Sequence, residues 1–289
     1  MLKENFKKMM QKLNFPLEAQ NELLSAFDTV SSSEFFDIIN RYNSGENDFD
    51  EMLNNTKLFA EERGVSPYKA YMVLLLCLLP MLLDKYIKNG FCDEFFYNTM
   101  QDLRYKLQEC YLIHGVYGTF VPKWYKGFFE MRIFALGRLQ FEKNTTWFDC
   151  DVNGLHIPKG TNVLSVHIPR TETPLLHEQV LDSYRQAVNF FKDYFKNRCI
   201  FICNSWLLYP WNRSILKDES NLAQFYDDFT VVMSGEYQNY SECWRLFDCL
   251  YDGNPDNLPA NTSLRRSYIE RIKSGKPIGH GTGVIVFDE

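Results

Sequence analysis

NVLSVHIPRTETPLLHEQVLDSYRQAVNFF (162–191) reads as a strand, a turn and a helix. In NVLSVHI, Leu164, Val166 and Ile168 share one face and Ser165 and His167 the other, the period of two of a strand half-covered in a sheet. Pro169 and Pro174 bracket a turn, and His177 to Phe195 follows as an amphipathic helix. A turn that opens a helix leaves backbone N–H groups available to an anion. CIFIC (199–203) comes next, apolar throughout, as expected of a strand in a buried sheet.

Working outward, Asp218–Phe229 predicts a helix, Thr230–Met233 a strand, Leu264–Lys273 a helix and Gly283–Phe287 a closing strand. On the N-terminal side, RIFALGRLQFE (132–142) alternates as one strand, with Leu136, Arg138, Gln140 and Glu142 on one face. Asn153-Gly154 marks a hairpin between Thr145–Phe148 and Leu155–Ile157. These elements describe a mixed α/β layer around one sheet. From residue 1 to about 113 the pattern is helical. Leu17, Leu23, Leu24 and Phe27 form one stripe, Ser31 with Glu34 reads as a capping box, and Gly64 ends a helix. Ser66-Pro67 starts a long helix, and about Asp93–Ile113 forms another. Five or six helices make a bundle. The fold class is therefore α/β (α+β), an all-helical N-terminal domain (1–130) followed by a mixed β-sheet domain with flanking helices (131–289).

The chain of 289 residues is 45% hydrophobic and 24% charged, which excludes a disordered or fibrous protein. A formal net charge of −6 would repel phosphate backbones, so nucleic acid is not an expected partner. The N-terminus lacks the apolar core of a signal peptide. YMVLLLCLLPMLL (71–83), interrupted by Pro80, falls short of a bilayer span and reads as a buried core helix, so no membrane is expected. Eight cysteines without a CxxC suit free thiols in a reducing, cytoplasmic setting, with no metal site. Oligomeric state is not readable.

Small catalytic motifs such as GxxxxGK[ST], GxSxG, HExxH and DxDxDG are absent. GHGTG (279–283) precedes a strand instead of opening a helix, so it reads as a flexible loop, not a dinucleotide site. For His167 two readings stand: a polar, half-covered sheet face, or a base in a cleft, since a free imidazole titrates near pH 6.5. Arg138, Gln140 and Glu142 are either an ordinary polar sheet face or the wall of an acceptor pocket. Arg265, Arg266, Arg271, Lys273 and Lys276 are either a solvated helix face or a clamp for an adenosine phosphate or an acidic substrate. Trp124 and Trp206 read as core, and Cys203, in an apolar strand, as a poor nucleophile.

LGRLQFE (136–142), VLSVHIP (163–169), SYRQAVNFF (183–191), CNSWLLYP (203–210), ESNLAQF (219–225) and TSLRRSYIERIKSG (262–275), in this order, resemble a bacterial acyltransferase family. Its members join a helical N-acyltransferase N-terminal domain to a GNAT-like C-terminal domain. The resemblance implies an acyltransferase that moves an acyl group from acetyl-CoA or another acyl-CoA to a small amine or related nucleophile by direct attack in a ternary complex. The helical domain would wall the acceptor pocket. GNAT-like domains spread a pair of parallel strands around the pantetheine arm, here Asn162–Ile168 and Cys199–Cys203, and rest the pyrophosphate on the turn Arg170–Leu176. The implied cofactor-binding residues are Val166, His167, Ile168, Arg170 and Asn204, with backbone N–H groups of Val166–Ile168 facing the thioester oxygen. Deprotonating an amine at pH 7 costs roughly 4 kcal/mol, so a base is needed, and Glu142 and His167 are the candidates. Tyr226, or Ser205 in its place, would protonate the thiolate.

RTETPLL (170–176) departs from the glycine-bearing turn usual in GNAT enzymes, and Glu172 adds a charge opposed to phosphate, a cost of about 1–4 kcal/mol. The alternative is a non-catalytic GNAT-like ligand-binding or regulatory module. A serine hydrolase built on Ser205 ranks last, for want of a nucleophile elbow.

Overall fold

The computed structural model describes residues 2–195 and 198–287. The chain divides into two compact units, Met1–Met131 and Arg132–Glu289.

The first unit is helical: α1 Leu2–Lys12, α2 Leu17–Val30, α3 Ser33–Asn43, α4 Phe49–Glu62, α5 Pro67–Lys88, α6 Asp93–Met100, α7 Asp102–His114 and the single turn α8 Lys126–Phe129. Helix α5 is its axis, packed by α1, α2, α4, α6 and α7. Its 22 residues are long and apolar enough to cross a bilayer by length and composition. Met72–Leu76, Leu78, Leu79, Leu82 and Tyr86 are buried among the surrounding helices. The apolar run in the sequence stops at Asp84 because Asp84 and Lys85 lie on the exposed side of the same helix, while Tyr86 returns to the core. Two local expectations shift. Ser32, not Ser31, caps α3 by accepting from Phe35 N–H, and the single helix expected over 93–113 is broken at Gln101. Asp48 and Glu51 supply a capping box for α4 that the sequence pattern did not reveal.

The second unit contains β1 Ile133–Leu136, β2 Leu139–Thr145, β3 Cys150–Val152, β4 Leu155–Ile157, β5 Asn162–His167, α9 His177–Phe190, β6 Cys199–Ser205, α10 Pro210–Arg213, α11 Asn221–Asp227, β7 Thr230–Glu236, α12 Trp244–Phe247, α13 Ser263–Lys273 and β8 Gly279–Phe287. Six strands form one sheet in the order β1-β2-β5-β6-β8-β7, and β3–β4 is a separate hairpin. Only β5 and β6 run parallel; the other neighbours are antiparallel. The single strand expected over 132–142 is instead a tight hairpin. Leu136 pairs with Leu139, and Gly137 takes φ +66°, a left-handed angle that a side chain would strain.

Strand parity sorts the two sheet faces. Phe141 and Phe201 face α9, where Tyr184 packs on both at ring separations of 6.3 and 4.9 Å. Burying each such ring contributes about 1.5–3 kcal/mol. On the opposite face Val163, Ile200, Ile202 and Val284 are covered by Val152 and Ile157 of the β3–β4 hairpin. Trp206 and Trp211 join a third cluster around Tyr268, Ile269 and Ile272 of α13, so Trp206 packs as core. Trp124, in the helical unit, packs edge-on to Phe128 and donates to Asp102.

Candidate active site

The parallel pair β5–β6 joins only at Leu164↔Phe201 and Ser165↔Ile202. Both strands continue beyond that point in other company. Val166 and His167 pair with Phe141 and Gln140 of β2, whereas Cys203, Asn204 and Ser205 pair with Gly283, Thr282 and Gly281 of β8. The strands thus diverge, leaving a gap between residues 166–168 and 203–205. GHGTG pairs with the β6 side of it, at Cys203–Ser205. It is strand, not the loop expected, and its glycines admit the chain that follows β6: a Cβ on Gly281 would stand 1.9 Å from Leu208 O, and one on Gly283 2.8 Å from Leu208 Cδ1.

One sheet face beside the gap carries the polar groups. Glu142 Oε2 accepts from His167 Nε2 at 3.1 Å, and Arg132 donates to Glu142 Oε1. Burial alone would raise the Glu142 carboxyl; the hydrogen bond and charge of His167, with the charge of Arg132, outweigh it and hold the group below its ordinary range. When the imidazole is neutral, an ionised Glu142 that accepts Nε2–H leaves the ring's lone pair on Nδ1. Gln140, buried at 2% exposure, stands opposite His167. Asn204, in register with His167 across the gap, donates to Thr282 Oγ1 at 3.1 Å. Asn144 and Ser165 bond deeper in the same face.

Beneath the gap, on the helix-covered face, lies a second group that no local pattern announced. His177, first residue of α9, bonds Asp228 Oδ1 at 2.8 Å. Asp228 Oδ2 and Tyr184 Oη are buried without hydrogen-bond partners among the described residues. Burial raises the Asp228 carboxyl against the lowering effect of His177. Burial, then the Asp228 and Cys203 charges, raise the Tyr184 phenol. Burial pushes the Cys203 thiol up to about 12, which leaves it unreactive as a nucleophile. The signal for this cluster is long-range: His177 and Asp228 are 51 residues apart.

Residues 133–285 match the GNAT-like C-terminal domain, and residues 4–131 the N-acyltransferase N-terminal domain. The chain belongs to the GNAT-like C-terminal domain family. Solved structures share the fold across nearly the whole chain. An acyltransferase in complex with decanoyl-CoA and teicoplanin superposes with a TM-score of 0.76 at 21% identity, over 97% of this chain and 87% of that one. An acyltransferase mutant in complex with octanoyl-CoA gives 0.77 at 20% identity, over 99% and 88%. No curated protein matches the sequence.

Within this GNAT-like unit the other expected residues fall in separate places. Val166, next to last in β5, has its side chain toward α9, and Ile168 and Arg170 lie in the β5–α9 turn. Arg170 forms an ion pair with Asp248, which also receives Arg265 Nη2 at 2.7 Å. Ser205 Oγ accepts from Leu207 N–H at 3.2 Å and so caps the turn after β6. Tyr226 is half-buried on α11; burial and then Asp227 raise its phenol, with Arg213 opposing. No hydrogen bond among the described residues joins Tyr226 to the Glu142–His167 pair. Several members of the basic series hold the fold. Arg265 binds Leu246 O and Asn261, Arg266 binds Ala260 O, Arg271 binds Pro277 O and Tyr209, and Lys273 pairs with Asp256. Arg138 does not share the Glu142 face, because the hairpin places it in the β1–β2 turn.

The features present suit an acyl-CoA. The strands diverge, α9 begins without a side-chain cap at Leu176, and two buried polar atoms on the helix-covered face lack partners among the described residues. Among the described residues no group of histidine, cysteine and carboxylate side chains is arranged to hold a metal.

Proposed function

We propose that the protein is an acyl-CoA-dependent acyltransferase that moves an acyl group to a small amine by direct attack in a ternary complex. The observation that carries this reading is the divergence of β5 and β6 beside the Glu142–His167 pair. The similar folds were solved with decanoyl-CoA and octanoyl-CoA, which supports a medium-chain donor.

In this reading His167, oriented by Glu142, takes the proton from the attacking amine, a role that contributes about 10²–10⁴-fold in rate. The amine nitrogen bonds the thioester carbonyl carbon. Backbone N–H groups of Val166–Ile168 hold the oxyanion until the carbon–sulfur bond breaks. Tyr226, kept protonated by its raised phenol, gives the leaving thiolate its proton. Arg170 and the start of α9 receive the pyrophosphate. Asn204 lines the gap from β6. The eight cysteines are free, which supports a reducing, cytoplasmic setting.

Calorimetric titration with decanoyl-CoA and with CoA tests the donor. Saturable binding that weakens in Arg170→Ala supports the reading, and absence of binding by folded protein sinks it. Mass spectrometry of mixtures with an amine panel then tests transfer.

A second reading, a non-catalytic GNAT-like ligand-binding module, is favoured by the hold of Asp248 on Arg170. Binding without acyl transfer to any amine would select it.

A further inference from the structure

Arg138 lies in the two-residue turn between β1 and β2, and the turn is pressed onto α9. A Cβ on Gly137 would stand 2.6 Å from Ser183 Oγ, and Arg138 N–H donates to the same oxygen at 2.8 Å. From this anchored backbone the side chain reaches the β5–α9 turn. Nη1 donates to Pro169 O at 3.1 Å. Longer contacts of 3.4 Å run from Nη2 to Thr173 O and from Nε to Pro174 O. One planar guanidinium therefore ties the entrance of the turn, Pro169, to its exit, Pro174.

A loop that receives a phosphate needs its N–H groups toward the anion and its carbonyls elsewhere. Glycines achieve this by giving the backbone unusual angles. RTETPLL has no glycine, and Pro169 just before it and Pro174 within it each fix a backbone angle and lack an N–H donor. Carbonyls turned toward Arg138 are carbonyls turned to a cation, where their partial negative charge is compensated. We propose that Arg138 is a positioning residue for the donor: it holds the glycine-free β5–α9 turn in the form that receives the pyrophosphate of acyl-CoA. This rests on the transferase reading above. Arg138 acts through the turn and touches neither thioester nor amine.

The test compares decanoyl-CoA with decanoyl-pantetheine, which keeps the acyl chain, thioester and pantetheine but has no phosphate. Dissociation constants are measured for both ligands with the wild type, Arg138→Lys and Arg138→Met. Both variants are expected to bind decanoyl-CoA about ten- to hundredfold more weakly, the scale of a misplaced positioning group. Binding of decanoyl-pantetheine is expected to stay within about twofold, under 0.5 kcal/mol. Lysine keeps the charge but not the fork, so its loss separates bridging from attraction. Three results overturn the proposal: wild-type binding in Arg138→Lys, no change in Arg138→Met, or equal weakening of both ligands with a lowered melting temperature. A wild type that binds no decanoyl-CoA removes the transferase reading and this inference with it. A wild type that binds it while the variants behave as in those three results removes this inference alone.

Discussion

Glu142→Gln removes the negative charge between Arg132 and His167 while keeping the shape of the side chain. The Glu142 side chain is 15% exposed, His167 29% and Arg132 40%. A charge-assisted hydrogen bond to a part-buried partner is worth about 1.5–3 kcal/mol. The Arg132 end is open to solvent and adds under about 1 kcal/mol, and burial of the carboxylate works against both. A net loss of about 2 kcal/mol would lower the melting temperature by about 4–8 °C in a unit of this size. The pH dependence gives the sharper reading. The folded carboxyl is held below its ordinary range, so its stabilisation is present above the unfolded value, about 4.3. It is lost as pH falls through the folded value. Melting curves followed by circular dichroism should therefore separate wild type from Glu142→Gln at pH 7 and narrow the gap at pH 3, below the unfolded value. A gap of equal size at both values, or none at pH 7, would refute the charge argument. If the transferase reading holds, the same variant should lose kcat with little change in KM for the acyl-CoA, since Glu142 orients the base.

Three further outcomes are expected. Gly281→Ala puts a methyl group 1.9 Å from the Leu208 carbonyl oxygen; both backbones must move, at a cost of about 1–3 kcal/mol or more, read as lost soluble yield or a lowered melting point. Asp228→Asn should stabilise the protein at pH 7: a carboxyl raised by burial ionises at a cost to the fold that is present above its folded value and disappears in acid, so denaturant midpoints should differ at pH 7 and coincide near pH 3. Ser205→Ala removes the cap on Leu207 N–H and should cost about 1 kcal/mol while leaving acyl-transfer rates within about threefold, under 0.7 kcal/mol on the barrier.

Period-two patterning at 162–168 and the apolar run at 199–203 placed β5 and β6 within two residues, because each strand's burial is written in its own side chains. The same logic failed at GHGTG. A strand whose alternate residues are glycines has no side chains to alternate, and what covers it is Leu208 with the Tyr209 and Phe229 side chains, brought there by chain folding. It failed again at 132–142, where strand parity continues in the sequence straight through a turn. Glu142 and His167 were legible as polar residues on strands; their bond was not, since it depends on the register Gln140↔His167. Arg170 was legible as a cation beside a helix start, but its Asp248 partner was not.

The turn at Gly137-Arg138 sets the division of labour in the site. One continuous strand over 132–142 would put Arg138 and Glu142 on a common face, as if both served one substrate. In the folded chain Leu136↔Leu139 closes the turn, and the two residues separate. Glu142 stays in the sheet, on the face where Ser165 and His167 point, and Arg138 leaves it for the carbonyls of the β5–α9 turn. Parity does the rest: Glu142, His167 and Asn204 share one face, while Phe201 and Cys203 share the other with Tyr184. A thioester lying between the diverging strands would meet its base from one side and the helix-borne groups from the other. A one-residue slip of β5 against β2 would exchange those sides and bury His167 against α9. The apolar pairing of Val163, Ile200 and Ile202 beneath the β3–β4 hairpin resists that slip, so the core on that face fixes the chemistry as well as the fold.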